Sequence, residues 1–124
     1  MSKQLEREAL KYDLISLIKL QDKRKENILL FEASIKGERE ATQQEETVQS
    51  VLETKLRQHD LGLSKLDETD KVLILEDIPK LKSTREKRSQ TIMLLKAAII
   101  AEQESMDYEE NMIMFLEKKN GSQV

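Results

Sequence analysis

Residues 91–118, TIMLLKAAIIAEQESMDYEENMIMFLEK, put an apolar side chain at nearly every helical turn and contain neither proline nor glycine. An apolar period of alternating three and four, kept up that long, specifies a long helix buried along a stripe. Extended upstream, its seam reads Leu81, Arg85, Arg88, Ile92, Leu95, Ile99, Glu102, Met106, Glu109, Ile113 and Leu116. Such a helix needs a partner of similar length.

The first part of the chain offers one. Leu10, Leu14, Leu17, Ile28, Phe31 and Ile35 recur at the same spacing, with Gln21 and Arg24 at seam places and Ser2 able to cap the start. Residues 37–47, GEREATQQEET, hold Ala41 as their sole apolar side chain and could pass for a loop. Yet the heptad carried through them meets Leu52, Leu56, Leu63 and Leu66 without a shift, which favours one continuous helix over 2–60, kinked or broken near Gly37. Residues 61–66 form a turn, with Gly62 suited to a left-handed conformation and Ser64 or Asp67 able to cap the next helix. Pro79 is then expected to break or kink the chain between a helix over 67–78 and a last helix over 79–119, and residues 120–124 are expected to make a flexible tail.

Two apolar blocks, 10–35 and 92–116, match in length. Laid antiparallel with ends aligned, their paired residue numbers sum to about 126, which sets the fold point beside Gly62, the turn found from local chemistry. The same register puts Arg24 opposite Glu102 as a register-setting ion pair, and the acidic 37–47 segment opposite the basic 79–89 segment, PKLKSTREKRS. The expected fold is therefore all-α: an elongated antiparallel helical hairpin, a single domain over 1–119, about 80 Å long. Its rival is a compact four-helix bundle with breaks at Gly37, Gly62 and Pro79.

The seam leaves apolar residues unused. Leu94, Ala101, Tyr108 and Phe115 are spaced by seven, flanked by Met93, Ile100 and Met114, and one partner helix covers only one stripe. These seven residues are the candidate partner-binding site, for another protein or a second copy; the opposing expectation is that the same chain folds back to bury them.

Catalytic chemistry finds no foothold. The chain has no cysteine and one histidine, His59, read as a solvated residue near a helix end. Residues 67–78 lack the glycine and terminal glutamate of a calcium loop, and no glycine-rich phosphate loop or nucleophile elbow occurs. Glu102, Glu104, Asp107, Glu109 and Glu110 read as a solvated acidic face rather than a metal site. No catalytic, cofactor or metal residue is assigned. With a net charge of −3, nothing draws the whole chain to nucleic acid or an anionic membrane, and no apolar run is long enough for a membrane span. The opening MSKQLEREALKYD lacks a signal-peptide pattern, so the expected residence is cytoplasmic, with nuclear residence as the alternative. The expected function is that of a non-enzymatic coiled-coil adaptor or subunit of a multi-protein assembly. The alternative is a regulator of a nucleic-acid machine, working through an acidic hairpin tip or the basic 80–88 segment.

Overall fold

A computed structural model describes residues 2–121 as three helices, α1 (Lys3–Ala9), α2 (Leu14–Asp60) and α3 (Glu68–Gly121). The two long ones pack antiparallel as a helical hairpin. Of the three breaks a four-helix bundle would need, only the one at Gly62 is present. The sequence is hairpin-forming because its seam never loses phase. Leu14, Leu17, Gln21, Arg24, Ile28, Phe31 and Ile35, then Glu38, Thr42, Glu45, Gln49, Leu52 and Leu56, are all buried or half-buried along α2. Along α3 every predicted seam position from Leu81 to Leu116 is likewise shielded.

The helix limits correct three expectations. The first helix does not run from 2 to 60: Ser2 does cap a helix, its hydroxyl accepting from the Leu5 N–H at 3.1 Å, but α1 ends at Ala9. Asp13 then caps α2, its carboxylate accepting from the backbone N–H of Ser16 at 2.7 Å and from the Ser16 hydroxyl at 3.0 Å. Those bonds, the backbone one foremost, hold the Asp13 carboxyl below its ordinary pKa. Second, α2 continues through Gly37, where nothing lies near a would-be Cβ and the seam on both sides holds the turn in place. Third, Pro79 lies inside α3 rather than starting a helix. It costs one backbone hydrogen bond, but on an exposed side, while Ile74, Ile78 and Leu81 remain on the seam around it.

The turn is built as its residues suggest. Gly62 has φ +73°, and Asp67 caps α3, its carboxylate accepting from the Asp70 N–H at 2.8 Å. His59 is not simply solvated: half-buried, its Nδ1 accepts from the Leu66 N–H at 3.1 Å and pins the loop. At the far end α3 includes Asn120 and Gly121, so the expected tail overlaps the helix by those two residues and otherwise lies outside the described ones.

The chain packs as two compact units, one formed by the stretches up to Ala33 and from Leu95 onward, the other by Ser34–Leu94. In the first, α1 joins the ends of the two long helices. Its Leu5 and Ala9 meet Leu17, Met112 and Leu116 in a buried apolar cluster, with Leu14, Ile113 and Phe115 packed against it. In the second, Ile35 and Ile74 are the buried apolar side chains.

Candidate functional site

Each unit is fastened by one arginine that bridges two glutamates a heptad apart on the opposite helix. In the first unit Arg24 of α2 donates through Nε to Glu109 at 2.8 and 3.0 Å, through a terminal nitrogen to Glu109 at 2.9 Å, and to Glu102 at 3.4 Å. The Glu109 side chain is only 6% exposed, so its charge depends on this bridge. Bonding to Glu109, then the charges of both carboxylates, pushes the Arg24 guanidinium above its ordinary pKa against the cost of burial. Gln21 adds a bond from its amide nitrogen to the Met106 carbonyl at 2.8 Å.

The expected Arg24–Glu102 pair is thus present but is the weaker half of the arrangement. Because the guanidinium sits between Glu102 and Glu109, the register is centred about four residues further along α3 than end-matching of the apolar blocks implied. End-matching took Leu10 as a seam residue, whereas Leu10 lies in the break before α2 and is 56% exposed.

In the second unit the roles of the helices reverse. Arg88 of α3 donates to Glu45 at 2.6 Å and to Glu38 at 3.1 Å, which raises its pKa, Glu45 contributing most. Arg85 bonds the Gln49 side chain. The anticipated meeting of the acidic and basic segments is therefore made chiefly by Arg88.

The seven candidate partner-binding residues do not share one fate. Phe115 packs against the apolar cluster that α1 completes. Tyr108 donates its hydroxyl to the Glu8 carboxylate at 2.9 Å, a bond that raises the phenol above its ordinary pKa. Ala101 and Tyr108 line an open groove of about 470 Å³ together with Glu8, Tyr12, Ser105 and Met112. The remaining four are bare: Met93, Leu94, Ile100 and Met114 are 54–72% exposed. The chain does fold back on its own stripe, then, but only at the end that seven-residue α1 can reach. The signal for that fold-back was Asp13 three residues before Ser16, a capping pair that ends one helix and begins another.

The first long helix, α2, carries a milder apolar surplus at Ile15, Ile18, Leu20, Leu29 and Leu30, and the structure leaves part of it bare. Ile15, Leu29 and Leu30 are each about two-thirds exposed. Two of the five acidic residues read as a solvated face, Glu102 and Glu109, turn inward onto Arg24. Among the described residues no cluster of side chains is arranged to hold a metal ion, and no helix is long and apolar enough to cross a membrane. No protein-family model, no curated protein and no solved structure matches this chain.

Proposed function

We propose that this chain is a non-enzymatic coiled-coil interaction protein, a cytoplasmic adaptor or subunit of a multi-protein assembly, which takes a partner helix on apolar positions outside its own seam. The observation that carries this reading is the exposure of Leu94, Ile100 and Met114 along α3 after α1 has covered Phe115. Isolated exposed leucines are ordinary on a protein surface, but Ile100 and Met114 stand two heptads apart on one side of α3, as Ile15 and Leu29 do on α2. An amphipathic helix laid alongside would bury them in the way the hairpin buries its own seam.

The second reading places function at the tip or on the basic segment. Arg85 and Arg88 turn into the seam, and Asp67 is engaged as the α3 cap, which leaves Lys80, Lys82 and Lys87 as outward cations of 80–88 and Glu68 and Asp70 as exposed tip carboxylates. That favours the adaptor.

Replacing Leu94, Ile100 and Met114 together with serine tests it. The variant is expected to keep its helical circular dichroism, since none of the three lies in the seam, and to lose the native mass of the assembly in size-exclusion chromatography with light scattering. An unchanged mass would sink the proposal. Reversing Glu68 and Asp70 is expected to leave the mass as it is; loss of the assembly there would favour a tip-acting regulator.

A further inference from the structure

The two long helices carry one sequence twice. Residues 22–46, DKRKENILLFEASIKGEREATQQEE, recur at 86–110 as EKRSQTIMLLKAAIIAEQESMDYEE, with ten of 25 positions identical. The identities include what matters to the seam: Arg24 and Arg88, Ile28 and Ile92, Ile35 and Ile99, Glu38 and Glu102, Glu45 and Glu109. Phe31 and Leu95 keep an apolar place.

The fold uses the two copies in the same way. Arg24 of the first copy bridges Glu102 and Glu109 of the second. Arg88 of the second bridges Glu38 and Glu45 of the first. Each helix therefore offers its antiparallel partner the same arginine, the same two glutamates and the same two isoleucines at the same places. A seam complementary to a near-copy of itself is complementary to itself.

From this we infer that a second copy of the chain can take the place of the partner helix: α2 pairs antiparallel with α2 of another molecule, and α3 with α3, when the turn at 61–67 opens. The same clamps then close between molecules, Arg24 of each lying between Glu38 and Glu45 of the other. Within one molecule the short turn holds the partner helix at an effective concentration in the millimolar range, so the hairpin wins when the protein is dilute. At high concentration the second copy competes.

The geometry of that pairing is specific. With Arg24 between Glu38 and Glu45 of its counterpart, the two-fold axis crosses α2 beside exposed Ser34, which flanks the seam and meets itself there. Lys23, exposed on the same helix, lies far from its own counterpart. The chain has no cysteine, so Ser34→Cys gives a single reporter. Refolded from denaturant and then oxidised, the full-length Ser34→Cys chain is expected to give a disulfide-linked dimer whose fraction rises at least ~10-fold from micromolar to millimolar protein, the range set by the turn's effective concentration. Lys23→Cys is expected to show no such rise. A Ser34→Cys chain that stays monomeric throughout, or an equal rise at Lys23→Cys, overturns the inference.

Charge reversal on α2 alone sharpens the result. R24E/E38R/E45R sets like charges against α3 in both clamps but keeps α2 complementary to α2, so the Ser34→Cys dimer is expected at micromolar concentration. Adding R88E/E102R/E109R restores opposite charges within the hairpin and is expected to return the monomer. If the sixfold variant folds while the threefold one gives no linked dimer, the inference falls as well. Replacing Leu94, Ile100 and Met114 leaves the seam untouched and this crosslink unchanged, so failure of the proposed adaptor function and failure of self-pairing are told apart.

Discussion

The unit formed by the two end stretches of the chain and the unit formed by Ser34–Leu94 share one seam design and differ in what completes it. In the first, α1 adds a third helix, Leu17 and Ala9 are fully enclosed, and Glu109 has its charge met by three bonds from Arg24. In the second there are two helices only. Gln49 takes a buried seam place, and among the described residues Glu45 Oε2 and Arg85 Nε are buried without a partner. Two helices can cover one stripe on each other; a core enclosed from all sides needs a third. The arginine clamps select a pairing in both units, but burial that stabilises strongly belongs to the unit with α1.

The largest test of that contrast is Leu17→Ala. It opens a cavity in the enclosed cluster and is expected to cost about 3 kcal/mol in urea unfolding. Ile74→Ala, in a two-helix setting where neighbours can settle into the space, is expected to cost clearly less. An equal loss at both sites would mean that α1 encloses nothing the seam does not.

Next is the pair of clamps. Arg24→Ala leaves Glu109 buried without its counter-charge and is expected to destabilise by about 2 kcal/mol. Arg88→Ala is expected to lower the urea midpoint by a smaller amount, because the Glu38 and Glu45 side chains are less buried than that of Glu109. If Arg88→Ala proves the more damaging, the two clamps do not rank by the burial of their carboxylates.

The smallest effect has the opposite sign. Gly37→Ala fills open space on a helix, and the repeat already has alanine at the equivalent place, Ala101. A gain of about 1 kcal/mol is expected, seen as a raised thermal midpoint. A loss would reveal a bend at Gly37 that the pairing of α2 requires.

Much of this was legible from residue spacing. The antiparallel hairpin, the turn with Gly62, the Asp67 cap and the inward places of Arg24, Arg88, Glu102 and Glu109 follow from heptad phase and local turn chemistry. The break at 10–13 is hidden in the spacing, although Asp13 and Ser16 signal it, because Leu10 and Leu14 continue the helical period across it. Pro79 misleads in the other direction: its local cost is real, but the seam on either side outweighs one lost hydrogen bond on an exposed face. At the candidate site, spacing placed Met93, Leu94, Ile100 and Met114 outside the seam but could not separate them from Tyr108 and Phe115, which α1 engages.

Heptad phase is a local property, and residues three and four apart share a helix face whatever lies elsewhere. By itself, then, the sequence determined that the chain forms long helices, which side of each is a seam, and that one pattern of arginine, isoleucine and glutamate occurs on both. Which side chains meet across the seam is not local. It depends on where the turn resets the chain and on where α1 folds back, and a shift of about four residues changes the chief partner of Arg24 from Glu102 to Glu109 while leaving every heptad position intact. Only the tertiary structure decided that register, and with it the part of the apolar stripe that remains uncovered.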